Sequence, residues 1–448
     1  MKLLAALGLG LTGLTALGLV LLMPWEEAEG VPAFVPPLVA VLSVAALVYF
    51  AAVSLVLRQT LPKRAIWIVL IVAAAIRLPV LFTPPILSSD VYRYIWDGRV
   101  QLAGINPYLF MPIDPALADL RDNAIYTHIN RADDAHTIYP PAAQIVFAAV
   151  AGIAPSVFGE KTIMVGFEAL AIFCALRLLA LARLPPERVL IYAWNPLAVW
   201  SFAGDGHLDA IGMGLLASAL LLRCLKRDSL AGVAFGAAVL VKFFPVAVGP
   251  ALWRRGGGWR LAAAGMVAMA ALYACYAGAG WQVFGSLAHY GAEEGFDTGS
   301  GVWLLGVLDR LVGLPSYSGV LYAAAAMLTL GGIALWIMTR ARPIPGSAPD
   351  VIMVCGHAAI LAACATVAIS PHYPWYFVWL ALPAVVRPYR SVIWLSTAPI
   401  LLFITPFDEP SLWRSVIYVP AAVLALADFR RVSLPLPWLA HAPLKGTL

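Results

Sequence analysis

PLVAVLSVAALVYFAAVSLVLRQTLPKRAIWIVLIVAAAIRLPVLF, residues 37–82, is two apolar runs separated by a basic gap. A membrane-spanning helix needs about 20 mostly apolar residues, so 37–57 and 65–82 read as spans. Arg58, Lys63 and Arg64 between them then mark a cytoplasmic turn under the positive-inside rule. The same alternation recurs from Leu3 to Leu426. Of 448 residues, 62% are apolar and 12% charged, against about 45–50% and about 25% in an ordinary soluble domain. Mean hydropathy is +0.86. These values exclude a water-soluble globule and imply an all-α, polytopic membrane bundle, because only helices and closed barrels satisfy their backbone in lipid.

Working outward, Leu3–Met23 follows Lys2, is too long for the apolar region of a signal peptide and lacks a small-x-small cleavage site, so it is read as a retained helix. It leads to an acidic outer loop, Glu26, Glu27 and Glu29. After the third span comes a polar stretch, 83–140, too rich in Asp, Asn, Arg and Pro to sit in lipid; it is expected to be a large extracytoplasmic loop with short amphipathic helices.

Residues 141–154 are apolar but short, hence re-entrant or interfacial. The chain then crosses inward over 163–182 to Arg183 and Arg188, outward over 189–203, and back over 208–222 to Arg223, Lys226 and Arg227. A hairpin, 229–253, is broken around Lys242-Phe243-Phe244-Pro245, and Arg254, Arg255 and Arg260 lie inside. Residues 259–279 lead out to Glu293, Glu294 and Asp297, with 301–314 half-embedded and 317–339 returning to Arg340 and Arg342. Residues 351–370, 373–386, 391–405 and 412–427 complete the chain, with Arg387, Arg390, Arg430 and Arg431 inside and Asp408 and Glu409 outside. The expected total is about 13 or 14 helices, with no internal repeat. The net charge of +5 is grouped in the inner gaps, a topology code and not a nucleic-acid surface. Cys174, Cys224, Cys275, Cys355 and Cys364 form no CxxC pair, so neither a disulfide framework nor a zinc site is expected.

The trace sorts the costly polar residues Asp90, Asp97, His207, Glu293 and His372 to one outer face, as a membrane-face active site would require. The densest group is Ser88-Ser89-Asp90-Val91-Tyr92-Arg93-Tyr94-Ile95-Trp96-Asp97-Gly98-Arg99. In a helix, Asp90, Arg93 and Asp97 share one side. A salt-bridged interfacial helix with an aromatic belt would look the same. Gly204-Asp205-Gly206-His207-Leu208-Asp209 is a polar tip between apolar runs, either a plain loop or a seat for a phosphate or sugar. Lys242 stands in an apolar run, where a lone cation costs roughly 2.5–3.5 kcal/mol; it either snorkels to the interface or holds an anionic lipid headgroup. Ser370-Pro371-His372-Tyr373-Pro374-Trp375-Tyr376 is either an interface anchor or a wall of the same site.

These segments, with Gly104-Ile105-Asn106-Pro107-Tyr108, Ile138-Tyr139-Pro140-Pro141 and Trp194-Asn195-Pro196, carry a resemblance in order from about residue 65 to 390. The chain resembles the bacterial polyprenol-phosphate-mannose-dependent mannosyltransferases of the GT-C superfamily, and more distantly the first mannosyltransferase of the GPI-anchor pathway. The chain is then expected to have three parts: an extra N-terminal transmembrane hairpin, 1–64, outside the resemblance; a GT-C-like catalytic core, 65–260, including the loop 83–140; and C-terminal helices, 261–448, completing a lipid-donor cleft. The resemblance implies inverting transfer of a hexose, mannose foremost, from a polyprenyl-phosphate donor to a glycan, lipid or glycoconjugate acceptor. The reaction would take place at the outer face of a bacterial inner membrane.

Asp90 would be the general base, with Asp97 sharing the work. Candidate substrate contacts are Tyr92, Arg93, Arg99, Tyr139, Asp205, His207, Asp209, Lys242, His372, Tyr373 and Tyr376. Superfamily members often place two acids one residue apart where this chain has Asp90-Val91-Tyr92, so no cofactor is assigned, a bound divalent metal being the alternative not favoured.

The chemistry asks for the same parts. Displacement at an anomeric carbon needs a base for the incoming hydroxyl. The leaving lipid phosphate needs cations, which Arg93, Arg99, His207, Lys242 and His372 can supply. A ligase or polymerase of lipid-linked glycans would share these parts. A transporter or flippase would share the broken helices, but the chain lacks internal symmetry and its polar groups gather at one face.

Overall fold

Buried in lipid, a backbone must satisfy its own hydrogen bonds, and the computed structural model accordingly folds this apolar sequence into helices, with no strand among the described residues. The structure describes residues 1–22, 34–254, 256–286, 291, 294–295, 299–404 and 410–433. Glu26, Glu27, Glu29, Arg255, Glu293, Asp297, Asp408 and Glu409, on which part of the sidedness reading leans, lie outside them.

Six of the described helices are long and apolar enough to cross a membrane, or up to eight if each of two sharply bent pairs is one span; four shorter apolar helices accompany them. The protein is a multi-pass, all-α membrane bundle. The sequence total of 13 or 14 counted shorter pieces as well. Segments 189–203, 373–386 and 391–405, expected as single helices, are each divided into short helical pieces. Each contains a proline, Pro196, Pro383 or Pro399, that cannot donate to the preceding turn.

Helices α1 (Lys2–Leu21), α2 (Val35–Arg58) and α3 (Ala65–Leu81) pack together at the N-terminal end. The buried stripe of α1, Leu4, Gly8, Leu11, Thr15 and Gly18, repeats every three or four residues, the spacing of one helix face. A Cβ at Gly8 would press on Val72 and Trp194, and one at Gly18 on Trp200. The two glycines therefore let indole rings lie on the helix backbone, fastening the hairpin to the segment around Trp194-Asn195-Pro196. There the Trp194 Nε1–H donates to the Val69 carbonyl at 2.8 Å. Asn195 caps the turn that follows, accepting from Leu197 N–H, while its own amide donates to the Ser396 carbonyl at 3.0 Å.

Beyond α3 the polar stretch contains α4 (Asp90–Leu102), whose small Gly98 lies directly against the Phe147 carbonyl of α5 (Pro141–Ile153). Helix α5 is too short to span. Helix α6 (Val157–Leu181) follows as a full-length span. The helical stretch Pro196–Gly204 then meets Asp209–Cys224 at 119°. The bend turns on Gly206, at φ +72°, where an added Cβ would also crowd Val91 and Lys161.

A fully formed ion pair inside the bundle was not legible in the apolar pattern. Arg77 of α3 holds Glu168 of α6 through Nε at 3.1 Å and Nη2 at 2.7 Å, and donates Nη1 to the Ala193 carbonyl at 2.6 Å. Both side chains are buried. Removing one partner strands the other charge, a loss of about 3–5 kcal/mol. Arg77→Met is therefore expected to lower the thermal midpoint of the detergent-solubilised protein sharply, and Arg77→Met with Glu168→Leu to recover most of it; an unchanged midpoint in the single variant would contradict this.

Candidate active site

The polar residues singled out in the sequence stand on four separated segments, and the fold draws most of them around one cavity of about 800 Å³. Its walls come from the start of α4, from residues 130–140, from the broken hairpin at Lys242-Phe243-Phe244 and from His372–Tyr376. Of the expected residues, Asp90, Arg93, Tyr139, Lys242, His372, Tyr373 and Tyr376 line it.

Asp90 is placed from behind by another carboxylate. At the bend of the broken pair, Asp205 Oδ1 accepts the N–H groups of Ile86 and Leu87 at 2.8 and 2.9 Å, fixing the chain just before α4 begins. Asp90 then opens the helix, its N–H donating to Ser88 Oγ. Its Oδ1 accepts from the Asn130 amide at 3.2 Å, and its Oδ2 lies 3.7 Å from His207 Nδ1. With 22% of its side chain exposed, it opens to the cavity but is largely shielded from water. That burial pushes its carboxyl above the ordinary value of 3.8, outweighing the Asn130 hydrogen bond and the nearby Lys242 charge.

Asp97 stands elsewhere. It does not line the cavity; its Oδ1 accepts from Arg93 Nε at 2.8 Å and its Oδ2 from the Gln144 amide at 2.8 Å. Gln144 in turn donates to Thr137 Oγ1 at 2.9 Å, and Arg93 Nη1 reaches the Ala135 carbonyl at 3.2 Å. Asp97, expected to share the base work, stands off the cavity with one oxygen holding the Arg93 guanidinium and the other taken by the Gln144 amide.

Lys242 is paired within the protein. Its Nζ pairs with both Asp209 oxygens, at 2.9 and 3.0 Å, and lies 3.5 Å from the Tyr376 ring centroid. Carboxylate and ring together offset the cost of a cation in an apolar run. His372, also at the wall, is held by Glu294, at 2.9 Å from Nδ1, and by the Gly301 carbonyl, 3.1 Å from Nε2.

Among the remaining expected contacts, Asp209 and His207 stand just behind the wall, Asp209 against Lys242 and His207 stacked on Trp375 with centroids 3.8 Å apart. Asp205 acts on the backbone. Arg99 and Tyr92 point elsewhere: Arg99 pairs with Asp122 at 2.5 Å and Tyr92 stacks on His128. Neither lines the cavity.

Sequence reasoning missed Asn130, Arg131 and His136, which line the cavity from within the polar loop but carry no motif, and Gln144, a lone amide in an apolar run. Leu208, Val241, Phe243, Phe244 and Ile369 give the same cavity an apolar side. No group of three or more His, Cys, Asp or Glu side chains is gathered for a metal among the described residues. The arrangement provides a shielded carboxylate, facing cations and an apolar flank, which suits group transfer from an amphiphilic anion.

Comparison with curated proteins and with solved structures found no match. Comparison with family models did: the model described as MptA_B family, alpha-(1->6)-mannopyranosyltransferase, N-terminal domain, matches residues 3–255. The match takes in the N-terminal hairpin, which the motif resemblance left out, and includes Asp90, Arg93, His207, Asp209 and Lys242. By a match that covers more than half its length, this chain belongs to that mannosyltransferase family.

Proposed function

We propose that this membrane protein moves a mannosyl group from a polyprenyl-phosphate donor to an acceptor hydroxyl at the extracytoplasmic face of a bacterial inner membrane, with inversion and with Asp90 as general base. The observation that carries the reading is Asp90 itself. It is a partly open carboxylate with a raised proton affinity, in a cavity that also presents Arg93, Lys242 and His372.

The acceptor oxygen attacks C1 as the C1–O bond to phosphate breaks; the bonding pair leaves on the phosphate oxygen, and the hydroxyl proton passes to Asp90. A glycosidase needs a second acid for its leaving group. A lipid phosphate leaves as a stable anion and needs cations instead. Arg93, aimed by Asp97, and Lys242, set over Tyr376, are assigned to that anion. Leu208, Phe243, Phe244 and Ile369 are assigned to the first units of the prenyl chain. The family description names an α-(1→6) product. With inversion, an α product requires a β-linked mannosyl phosphate, and the acceptor is then the primary hydroxyl of a sugar.

Transfer of label from polyprenyl-phosphate-[14C]mannose to a membrane-extract acceptor pool tests the reading with purified protein. Asp90→Asn is expected to reduce transfer by about 10²–10⁴-fold, the usual worth of a positioned base, while donor binding persists. In the wild type, kcat/KM should fall on the acid side through a pKa above 3.8, since the base must be ionised and burial raises it. Wild-type turnover in Asp90→Asn would remove Asp90 as base.

Lys242→Met is expected to weaken donor binding by about tenfold or more, as the loss of a charge-assisted contact does. Unchanged affinity would confine Lys242 to pairing with Asp209. Because no metal is assigned to the reaction, transfer should persist in EDTA; loss of activity restored by a divalent cation would contradict that assignment.

A further inference from the structure

Directly behind Asp90 sits a histidine that the mechanism above does not use. His207 is wholly buried, and neither ring nitrogen has a hydrogen-bond partner among the described residues. A buried polar group left unpaired is costly. The ring is nevertheless held firmly: it stacks on Trp375 at 3.8 Å and 21°, and its backbone N–H is bound to the Ser201 carbonyl in the bend that Gly206 allows. Asp90 Oδ2 lies 3.7 Å from Nδ1, just beyond hydrogen-bond length. Catalytic hydrogen bonds are often long in a substrate-free site and tighten once substrates are bound.

We infer that His207 is a positioning residue for the base: its Nδ1–H closes on the Asp90 carboxylate when substrates fill the cavity, while Trp375 fixes the imidazole plane. The inference rests on the reading of Asp90 as general base. A carboxylate has two oxygens, and here each has a separate task. Oδ1 takes the Asn130 amide. Oδ2 takes His207, so that the carboxylate plane is fixed by donors from two elements. A neutral imidazole with its single proton on Nδ1 meets this geometry; an imidazolium would bury a second N–H with no acceptor.

The surrounding charges set what a change at His207 would do. Lys242 favours the ionised form of Asp90 and Asp209 opposes it. Asp205, Tyr94 and Tyr139 also feel the Asp90 charge. Arg93 is on the same helix, and Lys161 touches the bend at Gly206. None of these groups supplies a hydrogen bond to Oδ2. Loss of the His207 N–H is therefore not made good by a neighbour, and proton affinity at Asp90 should rise.

Two measurements on the full-length protein test this. In pH profiles of mannosyl transfer from polyprenyl-phosphate-[14C]mannose, His207→Phe keeps the stack on Trp375 but lacks the donor. It should move the acid limb of kcat/KM upward by about one pH unit and lower kcat by about tenfold or more. His207→Asn, whose amide can replace the Nδ1–H, should return the limb toward its wild-type place and recover much of the rate.

The second measurement needs no turnover. In protein labelled with 15N-histidine, the signal lost in His207→Asn should be that of a neutral ring protonated at Nδ1, and Asp90→Asn should alter it. Acid limbs that coincide in all three proteins, or a His207 signal from the Nε2–H tautomer or a doubly protonated ring, would overturn the inference. Full transfer in Asp90→Asn would instead overturn the base assignment, which the nitrogen signal does not depend on.

Discussion

The site depends on a carboxylate that touches no part of the cavity. Asp205, at the bend of a broken helix, binds the backbone N–H groups of Ile86 and Leu87. Two backbone donors that converge on a single buried carboxyl oxygen hold the chain in one place. This pair determines where the chain leaves α3 and where α4 starts, and so where Asp90 stands. The turn that carries Asp205 also carries His207 and leads into Asp209, so one bend positions the proposed base, the histidine behind it and the partner of Lys242. A continuous helix could not do this, because at about 100° per residue His207 would lie on the side opposite Asp205 and Asp209. Broken helices are admissible at membrane depth where they line a cavity, and here they do.

Charges elsewhere in the bundle follow the same logic of pairing. Arg77 with Glu168, Arg223 with Asp350 and Arg254 with Asp228 join different elements. Such pairs add little net stability but are costly to break. They lie away from the cavity and fix the relative placement of helices around it. Within the site the pairing is less complete. Asp97 and the Ala135 carbonyl hold Arg93 by its Nε and Nη1 at the wall, and Lys242 is balanced between Asp209 and the face of Tyr376. Those are cations held in position and still able to meet an incoming anion.

Much of this was legible in the sequence, for identifiable reasons. The apolar runs and their basic gaps specify a multi-pass helical bundle because the bilayer permits little else. Asp90, Arg93 and Lys242 stand out because ionisable residues are rare beside such runs. The role of Asp97 was not legible: at i+7 from Asp90 it shares a helix side with the proposed base, yet its carboxylate turns inward to Arg93 and to Gln144, a residue 47 positions away that no local pattern links to it. Arg99 and Tyr92 fail for the opposite reason, since their partners Asp122 and His128 lie in a loop whose course has no periodicity to read. Asn130 and Glu294 reach the site only through tertiary folding. Proline-divided segments such as 373–386 were read as single spans because hydropathy averages over the breaks that shape the cavity.

The central claim is that one cavity holds the lipid phosphate among Arg93, Lys242 and His372 with the sugar's anomeric carbon facing Asp90. A cryo-EM structure of the Asp90→Asn protein with polyprenyl-phosphate-mannose tests it most directly. The account predicts phosphate density within about 3 Å of Lys242 Nζ and the Arg93 guanidinium, the prenyl chain along Phe243 and Phe244, and C1 directed toward residue 90. Phosphate density away from the cavity, beside Arg223 and Arg342, or a sugar directed away from residue 90, would contradict it.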